Sequence, residues 1–173
     1  MATSRPSASV LVAYGSRNGS TQEVAEAIAD VLRMHGRSVD VRAAGDVRDV
    51  ATYGTVVLGG ALYTGRWHKD ARRLLRRLRT DLGTRDLAVF AMGPRTLDEA
   101  EVSASRAQLD RALARAPELH PEWVAIFGGV IRPERLRFPL NWMPACDARD
   151  WSAIRDWAAN VATGARQREV SRV

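Results

Sequence analysis

Short apolar runs alternate with amphipathic stretches along this chain, and that alternation limits its fold more than any other feature. Strand-like runs are expected at residues 9–14, 38–42, 53–60, 87–92 and 123–127. Val56-Val57-Leu58 is apolar at consecutive positions, so it must be covered on both faces, as a central parallel strand is. Stretches of helical period lie between these runs. Residues 20–34 put Val24, Ala25, Ile28, Val31 and Leu32 on one stripe, with Gly36 as a C-cap. Residues 67–82 do the same with Ala71, Leu74, Leu75, Leu78 and Leu82, and further helices are expected at 97–115 and 151–162. Strand and helix in alternation predict an α/β three-layer sandwich with a five-stranded parallel sheet in the order 2-1-3-4-5. Ligands then bind at the carboxyl ends of the strands, near the switch point between the first and third.

With 173 residues, 46% hydrophobic and 27% charged, the chain has the size and composition of one globular domain. The domain is expected at 9–164, between a disordered leader at 1–8 and a tail at 165–173. Cys146 is the only cysteine, which excludes an internal disulfide and suits a reducing compartment. The first nine residues hold no apolar signal core, and no run reaches the roughly 18 apolar residues of a membrane span. A cytoplasmic location is the expectation. The formal charge is +6, and Lys69 is the single lysine among 26 basic residues. Arginine-favouring codon usage accounts for such a bias as a whole, so each cluster is read by position. Arg66, Lys69, Arg72, Arg73, Arg76, Arg77 and Arg79 leave the apolar stripe of 67–82 intact. Without aromatic interleaving or a DNA-reading motif they read as a solvated face, and no nucleic-acid partner is expected. The connection at 131–149, with Pro133, Pro139 and Pro144, is long for a compact domain, and such loops are usually functional or disordered.

Ser16, Arg17, Asn18, Gly19, Ser20 and Thr21 lie between the first strand and the first helix, where outward N–H groups and the helix dipole favour an anion. Three hydroxyls add hydrogen bonds, and Gly19 lets a ligand approach the backbone. The loop lacks the Gly-Lys-Ser/Thr of a Walker A motif and the glycine spacing of a dinucleotide fingerprint. No aspartate cluster of a phosphorelay receiver follows the first or third strand. Ser and Thr are also ordinary helix caps, so this loop alone leaves a plain capped turn open. A second loop, Ala61, Leu62, Tyr63, Thr64, Gly65 and Arg66, follows the third strand beside the first loop. Small residues, an aromatic and a glycine there suit a flat ring system.

The pattern Ser16-Arg-Asn-Gly-Ser-Thr21 resembles the phosphate loop of the flavodoxin family, and the resemblance runs from Val10 to Val161. It implies a flavodoxin-like fold and FMN. The phosphate would lie on Ser16 to Thr21, with the Ala61–Arg66 loop and Met92, Gly93, Pro94 and Arg95 around the ring. More narrowly, the chain looks like the menaquinone-dependent protoporphyrinogen oxidase branch. Arg17-Asn18-Gly19, Thr64-Gly65-Arg66-Trp67-His68, Gly128-Gly129 before Arg132-Pro133, and Asp150-Trp151 carry that likeness. It implies an FMN-dependent oxidoreductase acting on an anionic porphyrin, a quinone or a redox partner protein as acceptor, and peripheral membrane contact. The alternatives are a flavodoxin-type electron carrier and a flavin-free interaction domain of the same fold. The 92–98 loop lacks the second aromatic of typical flavodoxins, so one-sided stacking on Tyr63 is expected, with Trp67 next and Trp142 reserved for packing. Arg17, Arg66, Arg95, Arg132, Arg135 and Arg137 are expected near the ring, where they favour a less negative potential than an acidic shuttle has.

No catalytic residue is assigned. His35, His68 and His120 have no partners at metal-ligand spacing, so no metal is expected. His35 fits a helix C-terminus, His68 a cap or an exposed position, and Cys146 lacks an activating neighbour. No Gly-x-Ser-x-Gly elbow is present, which argues against an α/β-hydrolase.

Overall fold

The computed structural model describes residues 9–165. The expected leader lies outside these residues, as does the tail beyond Ala165. In chain order the elements are β1 (Ser9–Gly15), α1 (Ser20–Met34), β2 (Ser38–Ala43), β3 (Thr55–Tyr63), β4 (Arg66–Trp67), α2 (Lys69–Arg77), α3 (Arg79–Leu82), β5 (Asp86–Met92), α4 (Glu99–Leu113), β6 (Trp123–Phe127), β7 (Val130–Ile131), β8 (Cys146–Asp147) and α5 (Trp151–Thr163). The order β2-β1-β3-β5-β6 is all parallel and equals the expected 2-1-3-4-5, with β4 added antiparallel to β3.

Period-two alternation sorts side chains to the two faces. Leu11, Ala13, Val56 and Leu58 join Leu74, Leu75, Leu109 and Leu119 beneath α2, α3 and α4. Val10, Val12, Val57 and Phe90 join Ile28, Leu32, Ile154 and Trp157 beneath α1 and α5. Each side chain of this size stabilises the fold by about 1.5–3 kcal/mol through burial. Among the described residues no helix is long and apolar enough to cross a membrane.

Three local departures have clear causes. The expected helix at 67–82 begins two residues late and breaks at Leu78, where φ −106° and ψ 19° interrupt it. Trp67 pairs with Leu62 in a hairpin instead, and the indole N–H donates to the Gly60 carbonyl at 3.1 Å. β3 therefore continues through Tyr63, and Ala61, Leu62 and Tyr63 are strand rather than loop. Only Thr64 and Gly65 form the turn, with φ of 46° and 75°, the left-handed pair that a two-residue hairpin demands. α4 starts at Glu99 rather than 97 because Asp98 caps it, accepting the Glu101 N–H at 2.9 Å.

The 131–149 connection is ordered. It contains two 3-10 turns, at Pro133–Arg135 and Leu140–Trp142, and a cis Phe138–Pro139 bond. The β7–β8 ribbon ties its ends together. Asp150 then caps α5 through the Ala153 N–H, and Gly164 closes that helix in the left-handed conformation. Trp142 does not pack: it is 81% exposed, as is Phe138 at 78%.

Candidate functional site

Gly15 to Thr21 turns β1 into α1 and leaves a cradle of polar groups at the helix head. Ser16 Oγ accepts the Gly19 N–H at 2.9 Å. Gly19 takes φ +86°, where a side chain is strained, and it caps α1 with no side-chain bond. The first amides of α1 have no acceptor within the helix, the Glu23 N–H being bonded to the Gly19 carbonyl. Thr21 is fully buried and its Oγ1 has no hydrogen-bond partner. An orphaned hydroxyl costs about 1–3 kcal/mol, so an acceptor brought to this loop recovers a substantial free energy.

Beside the cradle lies a cleft of about 910 Å³ at the carboxyl ends of β1, β3 and β5. Arg17, Asn18 and Ser20 border it from the first loop; Ala61, Leu62, Tyr63 and Thr64 from the end of β3; and Met92, Gly93 and Arg95 from the end of β5. Tyr63 is the only aromatic lining it among the described residues, and the Arg17 guanidinium lies 5.7 Å from its ring centroid. Burial raises the Tyr63 phenol pKa above its ordinary value, so it stays neutral. Ser16, Gly19 and Thr21, also expected at the phosphate, do not line the cleft, and Gly19 borders a depression along α1 instead. Pro94, Gly65 and Arg66 do not line the cleft, and Gly65 and Arg66 border a separate groove.

The remaining wall comes from Gly129, Val130, Ile131, Arg135, Leu136, Arg137, Leu140 and Met143. Apart from its arginines, this contribution was not assigned from sequence. Its signal was the glycine pair: a Cβ on Gly128 would overlap the Ala148 carbonyl, and one on Gly129 would lie 2.9 Å from the Gly93 oxygen. Only glycines let the segment fold back over the cleft.

Three contacts pin that segment to the cradle and the first turn of α1. Arg135 Nη1 donates to the Asn18 carbonyl at 2.6 Å. Glu23 accepts from Arg132 at 2.8 Å and from Arg149 at 2.6 Å, and Arg149 also pairs with Asp147. Hydrogen bonds from Arg132 and then Arg149 lower the Glu23 pKa from 4.5 to about 2. The folded state therefore holds this carboxylate charged where the unfolded chain protonates it. Its contribution is complete above pH 4.5 and is lost as pH falls toward about 2. Glu23→Gln is expected to loosen the segment at pH 7. Amide exchange at Arg135 and Ala148, corrected for intrinsic rates, should rise to the level the parent reaches only in acid.

His68 caps α2, Nδ1 accepting the Asp70 N–H at 3.2 Å, yet it is buried rather than exposed. Room for it comes from Gly15, where a Cβ would lie 2.5 Å from Nδ1. Desolvation lowers the His68 pKa against the opposing pull of Asp70, so the ring is neutral and its proton sits on Nε2. Cys146 Sγ donates to the Arg95 carbonyl at 3.2 Å and steadies the β5 loop. Four arginines (Arg17, Arg95, Arg135 and Arg137) line the cleft, and no carboxylate does so among the described residues.

A flavodoxin domain family profile matches residues 11–140. No curated protein matches the sequence. Among solved structures, flavodoxin 2 from Bacillus cereus aligns with a TM-score of 0.56 at 21% identity, over 90% of this chain and 95% of its own. The flavodoxin of Streptococcus pneumonia TIGR4 aligns with 0.58 at 16%, over 90% and 99%. Rubredoxin oxygen:oxidoreductase from Desulfovibrio gigas aligns with 0.58 at 12%, over 92% of this chain but only 36% of that longer one. These identities establish likeness of fold alone, whereas the profile spans most of the described domain. The chain belongs to the flavodoxin domain family.

Proposed function

We propose that this protein binds FMN in the cleft and works as an electron carrier. The observation that carries the reading is the unpartnered, buried Thr21 hydroxyl at the head of α1, next in the chain to Ser20, which lines a cleft with one aromatic wall. A phosphate monoester supplies the acceptors that this hydroxyl and the free amides of α1 lack. Ser16 holds Gly19 in place and Arg135 adds charge at the loop. Tyr63 offers its face to the ring, while Leu136, Leu140 and Met143 keep water from the opposite wall. FMN supplies one- and two-electron chemistry. The four arginines and the absence of carboxylates stabilise added negative charge, so the midpoint potential is expected to be less negative than that of an acid-lined carrier.

A second reading, oxidation of a porphyrinogen with a quinone as acceptor, rests on the same arginines, which suit propionates through charge-assisted hydrogen bonds. The family match and the flavodoxin neighbours favour the carrier, reversing the order that the sequence motifs suggested. The purified protein should be yellow and release FMN on denaturation. Tyr63→Ala should weaken FMN binding about tenfold, since stacking contributes roughly 0.5–1.5 kcal/mol beyond burial and 1.4 kcal/mol is one decade. Anaerobic reductive titration, run beside turnover assays with protoporphyrinogen IX and a menaquinone analogue, separates the two readings. The carrier reading expects reversible reduction without turnover, and steady turnover would replace it with the oxidase.

A further inference from the structure

The arginines on the α2 helix do more than face solvent. Arg66 of β4, Arg72 and Arg76 of α2, Arg111 of α4 and Arg115 just beyond α4 surround a groove of about 310 Å³ with no carboxylate in its lining. Among the described residues none of the five forms an ion pair. Two are fixed by their Nε atoms, Arg72 on the Trp67 carbonyl at 2.8 Å and Arg111 on the Ala107 carbonyl at 3.3 Å. Their terminal nitrogens are thereby left for a ligand.

Two features connect the groove with the cleft, although the two share no lining residue. Arg66 is the cross-strand partner of Tyr63, and on this one hairpin Tyr63 lines the cleft and Arg66 lines the groove. Gln108 borders both the groove and a depression that holds Arg95 of the cleft wall beside Glu101. At the other end Arg76 joins the groove to a further depression where Asp70 is the lone acid among arginines. Across the sheet the charge is mixed: Glu23, Glu26 and Asp30 of α1 share a depression with Arg135 and Arg155.

We infer that this groove docks an acidic redox-partner protein and sets its approach to the cleft. The identity of the partner as a redox protein rests on the electron-carrier reading; its acidity rests on the groove alone. The exposed apolar side chains Met34, Leu97, Phe138, Leu140 and Trp142 all lie off the groove, so it offers a bilayer nothing to insert. Trp67, its one aromatic, is buried and gives a nucleobase no stacking face. A concave, uncompensated band of positive charge instead steers an acidic protein, raising association rates tenfold or more at low salt.

The test uses the FMN-loaded protein and a triple variant, Arg66→Glu, Arg76→Glu and Arg115→Glu, all at exposed positions outside the cleft. Arg155→Glu, on α5 across the sheet, is the control. Stopped-flow reduction by an acidic [2Fe–2S] ferredoxin should be fast in the parent and fall steeply with ionic strength. It should drop at least tenfold in the triple variant, with reduction by dithionite unchanged. Equal rates in parent and triple variant, or a parent rate indifferent to salt, would overturn the inference. Fluorescein-labelled poly-L-glutamate, titrated by anisotropy against the apoprotein, reads the surface without flavin. Its affinity should fall at least tenfold in the triple variant and stay unchanged in the control. Tighter binding of phosphatidylglycerol vesicles or single-stranded DNA than of polyglutamate, through these arginines, would overturn it as well. A protein that takes up no FMN yet binds polyglutamate through the groove would refute the carrier reading and leave the acidic-partner surface standing.

Discussion

Gly19→Val is expected to weaken FMN binding at least about a hundredfold while leaving the fold intact. At φ +86° a β-branched residue is a steric outlier, costing about 1–3 kcal/mol if the loop keeps its shape. If the loop relaxes, the amides at the head of α1 no longer converge, and charge-assisted bonds of roughly 1.5–3 kcal/mol each are lost. A Cβ there also lies 3.3 Å from Arg135 Nη1, the group that ties the covering segment to Asn18. Two decades of affinity equal about 2.8 kcal/mol, within the range of either route. Gly19→Asn, whose side chain tolerates the left-handed region, should retain most of the affinity. Flavin fluorescence titration with circular dichroism on both variants checks this. Parent-like affinity in the valine variant would move the phosphate to another place.

Gly59→Val should be the most destabilising single change near the site. Gly59 faces Phe90 from the neighbouring strand, and a Cβ there would overlap the Phe90 ring. The ring cannot retreat: it is fully buried and packed against Phe127 and Trp157 at centroid distances of 5.6 and 6.0 Å. Overpacking of this kind costs about 1–3 kcal/mol and occasionally more. Gly45→Ala, where the nearest atoms are 3.7 Å away, should change stability by no more than about 0.5 kcal/mol. Urea unfolding monitored by tryptophan fluorescence compares the two.

The layers and strand order were legible because their signal is burial itself. Val56-Val57-Leu58 has to be covered on both faces, and the stripes at Ile28 and Leu74 have to face a sheet. Trp67 misled the helix boundary because it precedes Ala71 and Leu74 at helical spacing and is buried on their side, although it belongs to a hairpin. Nothing in Thr64-Gly65 announces that hairpin, since the usual Asn-Gly or Asp-Gly signal is absent. Of the cleft, the three loops at strand ends could be named in advance because topology places them together. The fourth wall could not be placed, because residues 129–143 reach the cleft through long-range contacts. Glu23 meets Arg132 and Arg149 more than a hundred residues away, and Arg135 meets Asn18 across a similar distance. Trp142, expected to pack, is at the surface because its segment spends its leucines and Met143 on the cleft instead.

On the reading proposed above, the cradle at the head of α1 recognises the phosphate of FMN. Calorimetric titration of the apoprotein with FMN and, separately, with riboflavin tests it most directly, because the two ligands share the ring and differ only in that phosphate. One FMN should bind per chain and riboflavin at least a hundredfold more weakly, with the gap closing in Gly19→Val. Equal affinity for the two ligands in the parent, or no FMN bound at all, would contradict it.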